Sequence, residues 1–225
     1  MRGPVDQMPI LAYCVSLAHH FLDAPTSAVG QGMVYEVEDL GLRAWYSEVE
    51  EDTFSGAEHV TKAALEFHHF VSAVFREGTV LPFRFPTILE SIDDLRTHLE
   101  DKTSWYTDAL RQSEGLVQFE VRIVSKIKLP PDPESGREYL EARKALKERT
   151  TAAVSRLVQG LDDYLRDHHV KDTQQGTRVY LLVERGRIAE FRNAAGQIAI
   201  PAGFEVRLTG PWPPTEFVPT QEGEG

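Results

Sequence analysis

The chain has 225 residues, with 24 Lys and Arg against 35 Asp and Glu, a formal net charge of −11. Charge of that sign matches phosphate backbones and anionic membrane surfaces poorly, so neither nucleic acid nor a membrane is expected as the main partner. With 41% hydrophobic and 26% charged residues, disorder over the whole length is excluded, and the length allows one large domain or two small ones.

Residues 1–8 read as a frayed start. Ile10–Ala18 is short, apolar and β-prone, and reads as a buried strand. Its apolar part is too short to span a bilayer, and no cleavage site follows His19-His20-Phe21, so a cytoplasmic protein is expected. Asp23–Gly32, with Pro25 and two Gly, is a loop. Met33–Val37 and Arg43–Val49 read as a β-hairpin, with Gly41 available for a positive φ between them. Ser55 and Glu58 have capping-box spacing. Val60, Ala63, Ala64, Phe67, Val71, Val74 and Phe75 then recur at helical steps up to Gly78. Leu81–Pro86 is extended, because each Pro drives its predecessor out of the helical region. A second helix is expected from Thr87 to about Arg111, with the gap between Leu99 and Trp105 weakening its apolar stripe.

Gly115 punctuates the chain, and Leu116–Ile127 alternates as a half-buried strand. Pro130-Pro131-Asp132-Pro133 breaks it. Glu134 to about His168 reads as one long helix with Tyr139, Ala142, Leu146, Val154, Leu157, Leu161 and Leu165 inward. A strand at Arg178–Val183, a short helix over Gly186–Ala195 ended by Gly196, and a last strand at Phe204–Thr209 follow. The second half thus resembles a small α/β sandwich with a βαβ core, ferredoxin-like. The expected division is an α+β domain over residues 1–114, a second over 115–219, and a disordered tail over 220–225.

Chemistry-bearing patterns are sparse. Cys14, the single cysteine, lies in an apolar strand where an inert thiol is the default, and it permits neither an internal disulfide nor a Cys-based zinc site. The pairs His19-His20, His68-His69 and His168-His169 lack the i,i+3 or i,i+4 spacing of a helical metal site. There is no nucleophile elbow, phosphate loop or dinucleotide fingerprint. Glu48–Asp52 reads as a solvated acidic loop. No catalytic, cofactor-binding or metal-binding residue is assigned. The competing reading is a small-ligand or metal-dependent α/β protein using the His pairs.

Two stretches are less ordinary. In Gly78-Thr79-Val80-Leu81-Pro82-Phe83-Arg84-Phe85-Pro86 a cation sits between two Phe in a Pro-bounded run. In Leu208-Thr209-Gly210-Pro211-Trp212-Pro213-Pro214 a Trp stands among three Pro. The plain reading anchors the Phe pair and the Trp in the core, with Arg84 paired to an acid. The sharper one makes Phe83, Arg84 and Phe85, or Trp212, Pro213 and Pro214, a rigid docking edge that loses little entropy on binding.

These two stretches carry a family resemblance. With His68-His69-Phe70-Val71, Ala73-Val74-Phe75, Phe119-Glu120-Val121-Arg122-Ile123 and Ser135-Gly136-Arg137-Glu138-Tyr139-Leu140, in this order, the chain resembles the gas vesicle F/L proteins (GvpF/GvpL) over nearly its whole length. After Gly-Pro-Trp-Pro-Pro the family usually continues Tyr-Ser-Phe-Val, where this chain has Thr215-Glu216-Phe217-Val218. The resemblance implies two α+β domains, the second a modified ferredoxin-like fold. It also implies a non-enzymatic accessory or minor structural protein, without cofactor. Such a protein would bind the hydrophobic shell protein and other gas vesicle accessory proteins during nucleation or growth.

Overall fold

The computed structural model describes residues 8–127, 136–173 and 176–219. The frayed start (residue 8 excepted), the Pro130–Pro133 break and the C-terminal tail lie outside them. The chain divides into two compact units, Met1–Glu114 with Val218–Gly225, and Gly115–Phe217.

The first unit is an antiparallel sheet with helices on both faces. Its strands are β1 (Ile10–Leu17), β2 (Val34–Asp39), β3 (Leu42–Glu48) and the two-residue β4 (Leu81–Pro82) and β5 (Ile88–Leu89). The order is β2-β3-β1-β4, and β5 also pairs with β1. Its helices are α1 (Ala57–Glu77), α2 (Ile92–Asp101) and α3 (Thr103–Gln112). All eight residues of β1 are buried. Ile10, Ala12, Val15 and Leu17 join Leu95 and Leu99 of α2 and Tyr106, Ala109 and Leu110 of α3 in one core. Tyr13 packs on Phe67 and Phe70 of α1. A strand covered on both faces needs apolar residues at every position, which is why this one reads as a continuous run.

The hairpin forms as its sequence indicates. Leu40 and Gly41, at φ 46° and 80°, make a two-residue turn with both central residues at positive φ. Gly tolerates that geometry, whereas Leu40, exposed there, does not favour it. Leu40→Asn should therefore raise stability by about 0.5–1 kcal/mol, read as a higher urea midpoint at unchanged slope.

Three local expectations are corrected. Ser55 does not cap α1: the N-cap is Gly56 at φ 88°, with no side-chain bond, and His59 Nδ1 donates to the Ser55 carbonyl at 2.7 Å. Val60 lies exposed in the first turn, and the stripe that meets the sheet starts at Ala63 and includes Phe70. The helix expected from Thr87 begins at Ile92, because the Thr87 carbonyl accepts from Ala12 N–H and keeps that residue beside β1. The Ser91 side chain caps α2 by accepting from Asp94 N–H at 3.2 Å. Lys102, at φ −116° and ψ 14°, separates α2 from α3 inside the Leu99–Trp105 gap.

The second unit runs β6 (Leu116–Ser125), α4 (Gly136–Leu161), β7 (Leu165–Thr173), β8 (Gly176–Glu184), α5 (Ile188–Gln197) and β9 (Phe204–Trp212). The sheet order is β7-β8-β6-β9, with every neighbour antiparallel. A β-α-β-β-α-β chain in this order is a ferredoxin-like arrangement. Val117, Phe119, Val121 and Ile123 are buried, and the Phe119 ring lies 4.6 Å from that of Phe191 on α5. The helix expected to reach His168 ends at Leu161, and Leu165 opens the edge strand β7 instead of an inward helical position. No residue of β7 is fully buried, so its sequence lacks the apolar alternation that marks a strand; pairing with β8 makes it one. Gly196 lies inside α5, which ends at Gln197.

Candidate functional site

The Phe83–Phe85 stretch is built on the edge of the first sheet. Gly78 ends α1 in extended backbone at φ −176°, with its N–H on the Val74 carbonyl. A Cβ there would stand 2.5 Å from Leu22 Cδ2, the end of a flexible side chain, so a larger residue requires Leu22 to shift. Leu81 and Pro82 pair with Val15 and Cys14, and Phe83 N–H donates to the Tyr13 carbonyl at 2.9 Å. The chain then leaves the sheet for Arg84–Pro86 and rejoins β1 through Thr87, Ile88 and Leu89. Thr87 Oγ1 closes the excursion by donating to the Arg84 carbonyl at 2.6 Å. The two Phe go to opposite faces. Phe83 is buried beside His98 of α2 and Tyr106 of α3. Phe85, half-buried, packs on Phe67 of α1 and on Phe54. Arg84 is left exposed at the tip, and makes no ion pair among the described residues, contrary to the plain expectation that an acid holds it.

The Trp212 stretch closes the second unit. Register shifts in the β6–β9 pairing between Gln118 and Glu120: Glu120 stands opposite Thr209, and Gln118 opposite Trp212, so Gly210 and Pro211 fall in a bulge. Proline is tolerated because β9 is an edge strand. Arg192 holds the bulge by donating to the Gly210 carbonyl at 2.8 Å. Trp212 is half-buried, while Pro213 and Pro214 are buried. Phe217 N–H donates to the Pro214 carbonyl at 3.0 Å. The segment is fastened by Glu216: its N–H donates to Gln118 Oε1 at 3.0 Å, its carbonyl accepts from His169 Nδ1 at 3.1 Å, and its carboxylate pairs with Lys171. Phe217 stacks on His169 at 4.6 Å. Phe83, Arg84 and Phe85 thus belong to one unit, and Trp212, Pro213 and Pro214 to the other.

The fastening residues Gln118, His169, Lys171 and Glu216 were not legible as a set. They come from three separate segments, and two of them sit on β7, whose opening residues read as the end of the preceding helix. The adjacent His pairs do not build a site. Among the described residues no group of three or more His, Cys, Asp or Glu could hold a metal ion. Cys14 is fully buried, and that burial pushes its thiol pKa up, away from thiolate chemistry. An open cleft of about 540 Å³ lies beside the start of α1, lined in part by Glu48, His59, Lys62 and Glu66. Glu66 already accepts from Gly30 N–H at 2.9 Å and pairs with Lys62 at 3.8 Å. No helix among the described residues is long and apolar enough to cross a membrane.

Comparison with known proteins covers nearly all of this framework. A curated relative, gas vesicle protein L1 of Halobacterium salinarum, is 24% identical over 250 residues, spanning 92% of this chain and 89% of the relative. Two crystal structures share the fold. GvpF from Anabaena sp. PCC7120 superposes with a TM-score of 0.77 at 14% identity, covering 94% of this chain and 96% of that one. GvpF from Microcystis aeruginosa gives 0.72 at 11% identity, covering 90% and 95%. The model of the gas vesicle synthesis protein GvpL/GvpF family matches residues 9–219, and the chain belongs to that family.

Proposed function

We propose that this protein is a non-enzymatic accessory or minor structural protein of gas vesicle assembly, working at the gas vesicle in the cytoplasm. It binds the hydrophobic shell protein and other gas vesicle proteins during nucleation or growth. The family match over residues 9–219 is the observation that carries this reading. Physical chemistry makes it reasonable: an apolar shell subunit tends to aggregate before assembly, and a carrier with a net charge of −11 keeps the complex dispersed. The candidate contact residues fall into two kinds. Arg84, half-buried Phe85 and half-buried Trp212 are open to a partner, whereas Phe83, Pro213 and Pro214 are buried supports behind them. The test is co-expression of the tagged protein with a gas vesicle shell subunit, followed by affinity purification. A stoichiometric complex is the expected result, with Arg84→Ala lowering recovery of the shell subunit while shifting stability by no more than about 0.5 kcal/mol. Folded protein that recovers no shell subunit would overturn the shell-binding step.

A further inference from the structure

Charge is divided unevenly along this chain. Residues 1–114 carry 8 Lys and Arg against 19 Asp and Glu, a balance of −11. Residues 115–217 carry 16 against 14, a balance of +2. Part of that basic charge is organised in one line. On the face of the second sheet opposite the side where Phe119 meets α5, Lys171 of β7 stands opposite Arg178 of β8. Arg178 stands opposite Arg122 of β6, and Arg122 opposite Arg207 of β9. At about 4.8 Å per strand the row spans about 14 Å. Like charges directly opposite one another weaken a sheet, so a row across all four strands runs against local folding. Within the chain, Glu120 lies 3.6 Å from Arg178, and Glu216 pairs with Lys171. Arg207 is exposed and makes no ion pair among the described residues. Three of the four cations are Arg, whose planar fork fits a carboxylate with two parallel hydrogen bonds.

The chain already shows what this end of the face accepts. Glu216 lies there with its carboxylate on Lys171 and its backbone bonded to Gln118 and His169. We propose that the row Lys171–Arg178–Arg122–Arg207 is a docking surface for an acidic segment of a partner protein, which continues across the strands from the place Glu216 occupies. A nucleic acid, charged along its entire length, is disfavoured by the chain's net charge of −11. The row belongs to the second unit and the Phe83–Phe85 edge to the first, and its test involves no shell subunit.

Fluorescein-labelled octaglutamate, titrated with the full chain at low salt and read by fluorescence anisotropy, tests it. The expected result is saturable binding, weakened about tenfold by Arg207→Glu and abolished by 0.5 M NaCl. Arg143→Glu, the same charge change on the exposed surface of α4, should leave binding unchanged. Circular dichroism checks the fold of each variant, and Arg207→Gln replaces Arg207→Glu if the reversal unfolds the sheet. Absence of binding, or an equal loss with Arg143→Glu, overturns the proposal. Tighter binding of a single-stranded RNA dodecamer, lost on Arg207→Glu, overturns it in favour of nucleic acid.

Discussion

Gly210→Ala is expected to destabilise the second unit by about 3–5 kcal/mol, seen as a large drop in its urea midpoint. Two independent costs add. Gly210 sits at φ 126°, where a residue with a Cβ is strained. A Cβ there would also stand 2.8 Å from the Gln118 carbonyl oxygen and 2.8 Å from Phe119 Cδ1. Both belong to β6, the strand between β8 and β9, so relief requires β9 to move away and lose its pairing. Gly115→Ala is the matched control. It shares a positive φ of 70° but meets nothing within 4 Å, so only strain of about 1–2 kcal/mol applies. If Gly115→Ala proves as damaging as Gly210→Ala, the close approach of β9 to β6 is not what makes the Gly-Pro-Trp-Pro-Pro run begin with glycine.

Phe83→Ala is expected to cost about 3–5 kcal/mol, by removing a buried ring from between the sheet and α2/α3. Its neighbours, His98 and Tyr106, are hydrogen-bonded to each other at 3.0 Å and have little freedom to close the void. The same variant separates packing from docking. At low temperature, where the variant is still folded, shell-subunit recovery should match that of the unmodified chain, since the ring is covered. Arg84→Ala should show the reverse: normal melting and reduced recovery. Folded Phe83→Ala that recovers no shell subunit would place the ring in the contact and sink the division into open and supporting residues.

How far the sequence could be read depended on whether local pattern and tertiary demand agreed. They agree in β1, where burial on both faces imposes an apolar run, and in the β2–β3 hairpin, where Gly41 marks the turn. They agree again in α1, whose stripe is continuous from Ala63. They disagree in β7, a polar edge strand whose sequence, Leu165-Arg166-Asp167-His168-His169, prolongs the charged helix before it in composition. They disagree also at Thr87, where one backbone bond to β1 outweighs a plausible helix start. The candidate contacts were legible as odd segments, but not their depth. Alternation along a pleated edge would put Phe83 and Phe85 on one face; the excursion at Arg84–Pro86 breaks it, sending Phe83 to one core and Phe85 to the other face and leaving Arg84 outward. The strap that Glu216 fastens had no local signal at all, because its partners are 45 residues or more away in the chain.

The return of the chain to its first unit bears on how the molecule is made. Val218 packs against the core shared by β1, α2 and α3, and Trp105 Nε1 donates to the Pro219 carbonyl at 3.0 Å, across 114 positions of sequence. A ribosome adding about 5–20 residues per second delivers Pro219 some 6–23 s after Trp105. Through that interval the first unit can assemble its sheet and helices but lacks its last packing partner. It is completed only once Val218 and Pro219 have been made, so its final closure reports that the second unit has been synthesised in full.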